Sequence, residues 1–457
     1  VATIDSLQLW VTVWIAVAIL LFIRHWRSGQ GVGLLLTYVV CLGSIDWLAS
    51  ALFLLPWNPA TGLPFVTDGM RLSAIAITAA AVGAEIVTLW WSKRRARPVV
   101  DETDAPVRVD PTSVNLFLIL GLTLHVVLAP LVRSIPSVGA LVSTGSSLLV
   151  VGIGLKCWNA WHEGHRGRVW LWLASTILLP FFTVVTMGFL GYGLAAMVMV
   201  LAFVGAFYRP RWRVLVMGVA FAYLGMSVYV TYMRDRNDIR TLVKAGASFS
   251  DRVAAIQATA SAPEWFSVYD ISHLARVEDR LDQNWLVGAA VAKLSSGSVP
   301  FAHGSTIQDA AWAIVPRMFW PEKTIAVGSG DLVSRFTGLS FQGDTSVGIG
   351  QLMEWYVNFG ETGVVVGFLI IGALITVVDR VAHDRLVSGD IGSFLVWYMP
   401  GLNLLNVGGS FVDMTSAAAA ACVMALIMKV LVSTVFASAP PARLAYSGDR
   451  VADDGSL

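Results

Sequence analysis

About eleven apolar runs, each long enough to cross the ~30 Å of hydrocarbon in a bilayer, constrain this chain more than anything else in it. They lie near 6–23, 30–55, 70–92, 113–134, 136–157, 168–188, 191–208, 213–232, 363–379, 390–408 and 414–436. Backbone in hydrocarbon must satisfy its own hydrogen bonds, so runs of this length are expected to be helical. The expected fold is therefore an all-α polytopic membrane protein with about 11 transmembrane helices. The spacing of the runs divides the chain into a bundle of about eight spans over 1–232, a large extracytoplasmic loop over 233–351, about three further spans over 352–437, and a disordered tail over 438–457.

Composition agrees, with 56% of residues apolar and 13% charged, against about 25% charged in soluble domains. A formal net charge of +1 gives no footing for nucleic acid. Cys41, Cys157 and Cys422 all fall in apolar runs, which implies neither a disulfide framework nor a zinc site. The first run lacks a basic leader and a small-residue exit, and it ends at Arg24-His25-Trp26-Arg27, so it is expected to be a span rather than a cleaved signal.

Orientation follows from the short loops. Arg24 to Arg27, Lys93 to Arg97, Lys156 to Arg168, Arg209 to Arg213 and Arg380 to Arg385 alternate with loops poor in Lys and Arg. Basic loops stay cytoplasmic, which places the N-terminus and the long loop outside and the C-terminus in the cytoplasm. Asp46, Glu85, His125, Lys156 and Lys429 fall within spans. The lysines can snorkel. Asp46, Glu85 and His125 fit either a proton relay or structural partners that pin the packing of helices.

The polar stretch from Arg234 to Gly350 is far more mass than a channel or transporter needs outside the bilayer, which points to surface chemistry. Apolar residues recur at helical spacing within it, first at Val253, Ile256 and Ala260, then at Ile307, Ala311 and Ile314, with Pro316 and Pro321 as punctuation. Trp265, Trp285, Trp312, Trp320 and Trp355 suit either the headgroup level or a sugar ring. Arginine enters in groups: Arg234, Arg236 and Arg240; Arg276 and Arg280; then Arg317, Lys323 and Arg335. Arg276 and Arg280 sit among Glu278, Asp279 and Asp282 and read as a solvated face. The first and last groups lie near the outer membrane surface, where guanidinium is suited to hold a lipid diphosphate as it becomes a leaving group. Arg317, Arg335, Arg234, Arg240 and Lys323 are the candidates for that role.

The run Ile314-Val315-Pro316-Arg317-Met318-Phe319-Trp320-Pro321-Glu322-Lys323, then Thr345-Ser346, then Glu354-Trp355-Tyr356-Val357-Asn358-Phe359-Gly360-Glu361-Thr362-Gly363 ahead of a span, resembles the Wzy-type oligosaccharide repeat-unit polymerases of O-antigen and exopolysaccharide synthesis. The likeness is concentrated in 299–366, and Arg317 with Gly328 repeats the Arg-x10-Gly spacing of that family. No such spacing starts at Arg234, Arg236 or Arg240, so the family role carries less securely onto those positions.

The resemblance implies a multi-span lipid-linked glycosyltransferase (GT-C-like) architecture in a bacterial cytoplasmic membrane. It further implies inverting transfer of a growing glycan from undecaprenyl diphosphate to the non-reducing end of a newly flipped repeat unit. The implied partners are the undecaprenyl-diphosphate-linked oligosaccharide, membrane lipid, and a chain-length regulator and flippase of the same pathway. Such chemistry needs cations for the diphosphate, a group to take the acceptor proton, and rings for the sugars. For the base the candidates are Asp344, Glu354 and His303. Glu354 reads equally as a helix acid paired with an Arg, and Asp344 as a helix cap. Trp320, Trp355 and Tyr356 are the sugar-binding candidates. The chain has no Asp-x-Asp motif, and the loop Pro56 to Thr67 has no acid, so a mechanism without a metal or other cofactor is expected, with arginines in place of the divalent ion.

Three other functions fit parts of the pattern. A ligase would share the donor and pass the glycan to another acceptor. A lipid-linked oligosaccharide flippase or other transporter would need internal repeats and charges lining the bundle, and neither is evident. A non-enzymatic scaffold of an export complex would leave the arginines and the Glu354 to Gly363 string without a purpose.

Overall fold

The computed structural model describes residues 4–59, 61–94, 108–132, 136–208, 212–315, 320, 329–341 and 347–435. Among these every regular element is helical. Among the described residues nine helices are long and apolar enough to cross a membrane. They are α1 (Ile4–Ser28), α2 (Leu34–Leu52), α3 (Leu63–Lys93), α4 (Pro111–Leu128), α5 (Gly139–His162), α6 (Arg166–Met187), α7 (Leu190–Tyr208), then Gly350–Val387 and Phe411–Thr434.

The expected count of about eleven differs at two places. The run 213–232 lies on α8 (Trp212–Lys244), a single helix that continues well beyond the apolar stretch. The run 390–408 forms a helix of only 14 residues, Ile391–Leu404. At 1.5 Å per residue that is roughly 21 Å, too short to cross the hydrocarbon alone. It stops there because the chain turns at Leu405 and Gln351 N–H donates to the Val407 carbonyl at 2.9 Å.

The polar segment forms α9 (Phe249–Ser261), α10 (Ile271–Leu281), α11 (Gln283–Ser295), α12 (Ser305–Ala313) and α13 (Ser329–Thr337). The helical spacing of Val253, Ile256 and Ala260 falls on α9, and that of Ile307 and Ala311 on α12. Ser248, Asp270 and Asp282 cap α9, α10 and α11, each accepting from a backbone N–H in the first turn.

This segment is not a layer apart from the bundle. A Cβ at Gly69 of α3 would collide with the Asn284 carbonyl of α11, and one at Gly288 of α11 with the Phe65 carbonyl of α3. The two helices therefore cross backbone to backbone, which only glycine permits at both positions. Asn284 is fully buried at the crossing and donates to Asp46 O (2.5 Å) and Ser50 Oγ (2.8 Å) of α2.

The rest of the chain completes the core. α14 (Gly350–Val387) packs along α3 with the same device, since a Cβ at Gly83 would meet Leu369 O and one at Gly372 would meet Ala80 O. Gly360, at φ 63° and ψ −151°, breaks α14 in its N-terminal third, where Arg71 of α3 pairs with Glu361. α15 (Ile391–Leu404) and α16 (Phe411–Val435) close the bundle.

Four of the five ionisable residues read within spans have local partners. Asp46, within a π-turn at Gly43–Trp47, accepts from Ser73 Oγ (2.9 Å), which accepts from Trp14 Nε1 (3.1 Å). Glu85 pairs with Arg24, Lys156 lies 5.6 Å over the Trp172 ring, and Lys429 donates to Ser393 Oγ at 3.1 Å. Hydrogen bonds link Asp46 and Glu85 to these groups, not to each other or to His125, whose Nδ1 is buried without a hydrogen-bond partner among the described residues.

Candidate active site at the junction of α8 and α10

Arg236 and Arg240 are four residues apart on α8 and so share one face, whereas Arg234 projects from another. Like charges at that spacing repel and weaken an isolated helix. Here the repulsion is increased by burial, because Arg236 is only 7% exposed. The charged groups that act on it most strongly are Arg280 of α10 and Arg240, and no described carboxylate pairs with it. Burial and these two cations push its pKa below the usual arginine value. The Tyr232 hydroxyl, one helical turn earlier, accepts from Arg236 and donates to Gly188 O at 2.7 Å. The guanidinium of Arg240 lies 4.6 Å over the Phe189 ring, so the turn between α6 and α7 forms a wall of the site. Arg280 is exposed at its mouth.

A buried charge flanked by like charges is costly unless an anion completes it. The arrangement is suited to bind phosphate oxygens through several guanidinium donors at once.

Arg234 and Arg276 belong to a different structure. Arg234 grips Asp235 through Nε and Nη2, both at 2.8 Å, and its Nη1 donates to Ala262 O (2.8 Å) and Glu264 (3.2 Å). Arg276 pairs with Glu264 and donates to Val230 O at 3.2 Å. His273 Nδ1 accepts from Ser267 N–H (3.1 Å), so its proton sits on Nε2, which faces Glu264 at 3.3 Å. This network ties α8, α9 and α10 together and leaves the guanidinium of Arg234 engaged with protein acceptors.

The other anticipated residues are placed as follows. Arg317, Lys323 and Asp344 lie outside the described residues. Arg335 is exposed on α13, stacked 5.2 Å from the Phe336 ring. His303 is exposed in the turn before α12, the one non-glycine among the described residues at positive φ (47°). Glu354 is fully buried and its Oε2 accepts from Phe411 N–H at 2.7 Å, so it caps the start of α16 from a distant helix. Trp355 packs on Phe411 at 5.1 Å and against Gly367, and Tyr356 is buried beside Phe301. These two rings belong to the core rather than to an open sugar groove. Trp320 is 40% exposed and meets Trp312 edge-on at 5.4 Å, so it keeps an accessible face.

Sequence reasoning passed over Arg236 and Arg280. The four-residue spacing of Arg236 and Arg240 was an available signal for the first. Nothing local marks Arg280, whose neighbours in sequence are mostly acids.

Two of the acids near Arg280 are engaged away from it, while the exposed Asp279 acts on Tyr229 together with Arg280 and Arg236. Glu278 accepts from Asn58 Nδ2 (2.6 Å), and Asp282 accepts from Trp285 N–H (3.0 Å) as the cap of α11. Burial, reinforced by Glu278, pushes the Asp282 carboxyl up to about 7. An acid whose folded value lies above its unfolded one binds its proton more tightly when folded. Stability is then fully present below about pH 4 and is lost as pH rises toward 7. Asp282→Asn keeps the cap and removes the charge. It is expected to be more stable than the parent at pH 8, by on the order of 1 kcal/mol once partial solvent screening is allowed for. The difference should vanish near pH 4, and thermal unfolding in detergent at the two pH values checks it.

A small pocket of about 30 Å³ lies toward the other end of α3, lined by Arg24, His25, Glu85, Thr88, Asp379 and Arg380 among others. Its charges are largely spent on the protein, Arg24 on Glu85 and Asp379 on backbone N–H groups. Among the described residues no group of three or more His, Cys, Asp or Glu is placed to hold a metal ion. Compared with protein-family models, curated proteins and solved structures, the chain has no match.

Proposed function

We propose that this chain is a polymerase of undecaprenyl-diphosphate-linked oligosaccharide repeat units, working at the outer face of a bacterial cytoplasmic membrane. The observation that carries the reading is the cationic junction of Arg236, Arg240 and Arg280, in which a buried guanidinium lacks a described carboxylate partner. The resemblance of the 314–323 and 354–363 strings to repeat-unit polymerases supplies the chemistry. With the 213–232 run taken as a span in the orientation set by the basic loops, the junction lies just beyond its outer end, at the depth of a lipid headgroup. The N-terminus is then outside and the C-terminus cytoplasmic.

The reaction is an inverting, metal-independent glycosyl transfer. The non-reducing-end hydroxyl of a lipid-linked repeat attacks the anomeric carbon of the growing glycan. The bond from that carbon to the diphosphate oxygen breaks, undecaprenyl diphosphate leaves, and the hydroxyl proton passes to a base. Charge grows on the leaving diphosphate, and fixed guanidinium donors in a partly dry site stabilise it more than they stabilise the bound donor. Arg317 and Lys323 add to this set in the reading by resemblance.

A gel of lipid-linked glycan from cells lacking the chain tests the function. Accumulation of a single repeat unit, with the ladder restored on complementation, is the expected result. A full ladder retained on undecaprenyl diphosphate would instead mean a ligase, and loss of outward-facing glycan would mean a transporter.

A further inference from the structure

Trp57, in the turn after α2, and Tyr269, ahead of α10, are far apart in sequence yet stack with ring centroids 4.7 Å apart and planes 30° from parallel. Both face outward, Trp57 39% exposed and Tyr269 74%. Neither ring sits on a loose tether. Trp57 Nε1 donates to Val268 O at 2.6 Å, which holds the indole against the residue preceding Tyr269. The next residue, Asn58, is buried and clamps the turn, donating from Nδ2 to Leu52 O (3.0 Å) and to Glu278 Oε1 (2.6 Å). Asp270, adjacent to Tyr269, caps α10 by accepting from Ser272 N–H at 2.9 Å. The platform is therefore fixed to the same helix that carries Arg280 into the cationic junction.

We infer that Trp57 and Tyr269 form a saccharide-binding platform that receives the acceptor glycan, an inference that rests on the polymerase reading for the word acceptor. An electron-rich ring face meets the polarised C–H bonds of a pyranose, and such contacts tolerate variation in the sugar. The surroundings distinguish this from a membrane anchor. Asp270, exposed and next to Tyr269, sets a carboxylate beside the platform, which accepts from sugar hydroxyls and repels the phosphates of an anionic leaflet. An interfacial tryptophan also keeps its N–H for headgroups, whereas Trp57 spends its N–H on the protein. α10 then links the two halves of the reaction, with acceptor rings at its start and Arg280 near its end.

The test uses the full chain in detergent and, as probe, the oligosaccharide released from the cell's own lipid-linked repeat by mild acid. Saturation-transfer NMR measures binding without requiring catalysis. Wild type is expected to transfer saturation to the sugar ring protons, Trp57→Ala/Tyr269→Ala to lose at least about fivefold of it, and the ring-keeping Trp57→Phe/Tyr269→Phe to retain most of it. In elongation assays the alanine pair should raise KM for the acceptor about tenfold with little change in kcat. No binding by wild type, or equal binding and KM in the alanine pair, would overturn the inference. Quenching of Trp57 fluorescence by lipid spin-labelled at the headgroup, in wild type reconstituted into liposomes, with KM unchanged in the alanine pair, would assign the rings to lipid instead, and overturn it too. Saccharide binding at these rings with no polymer formed by wild type would overturn the polymerase reading and leave the platform standing.

Discussion

Arg236→Gln is expected to cut glycan elongation about 100-fold or more while making the protein more stable, not less. The two effects have one cause. Arg236 is 7% exposed and lies in the field of Arg240 and Arg280, so folding buries a charge that no described carboxylate offsets. A neutral amide of similar length keeps a donor for the Tyr232 hydroxyl and removes that charge, which should add about 1–2 kcal/mol to stability. The same charge is what an arriving diphosphate would neutralise, so its removal weakens both donor binding and stabilisation of the leaving group. Arg236→Lys should be intermediate, since ammonium keeps the charge without the bidentate fork. Initial elongation rates and thermal unfolding, measured on the same preparations, check both signs. A joint fall in activity and stability would make Arg236 a structural residue.

The second large effect lies at the other end of the bundle. Asp379→Ala is expected to destabilise the protein by about 2–4 kcal/mol, and Asp379→Asn by about 1 kcal/mol or less. Asp379 is 2% exposed, and its Oδ1 alone accepts from both Val32 N–H (3.0 Å) and Leu34 N–H (2.8 Å). The Gly-rich turn between α1 and α2 wraps this carboxylate, with Gly31 at φ 148° and Gly33 at φ 89°. A Cβ at Gly31 would collide with Asp379 Oδ2. Alanine would leave both N–H groups buried and unpaired, whereas asparagine still offers the one oxygen that both require. Denaturation of the two variants in detergent distinguishes these cases. Equal losses would mean that the charge, rather than the acceptor, holds the turn.

Much of this architecture was legible in sequence because its causes are local. A run of about twenty apolar residues is a span by length alone, and nine such helices stand where apolar runs were read. The 3.6-residue recurrence of Val253, Ile256 and Ala260 marked α9 for the same reason. What stayed hidden depends on contacts between distant segments. Apolarity does not reveal that the helix at 391–404 stops short, because a turn held by Gln351 ends it. The crossing of α11 on α3 rests on Gly69 and Gly288, which in sequence are two glycines among 41.

The site divides in the same way. The choice of arginine for a diphosphate followed from charge and geometry, but which arginines converge did not. Arg234 looked equivalent to Arg240 and instead serves Asp235 and Glu264, while Arg280, exposed as its sequence neighbours suggest, also acts on the buried Arg236. Glu354 and Trp355 sat in the most family-like string and lie in the core, because a helix that anchors a site must also pack. Trp57 and Tyr269 could be paired only by the fold.

The most direct measurement is made with the purified chain in liposomes, supplied with lipid-linked single repeat units as the sole glycan. The account predicts a ladder of lipid-linked polymer, one undecaprenyl diphosphate released for each linkage formed, and neither product from Arg236→Gln above about one percent of the parent rate. Repeat units that remain single, whether untouched or moved across the bilayer, would contradict it.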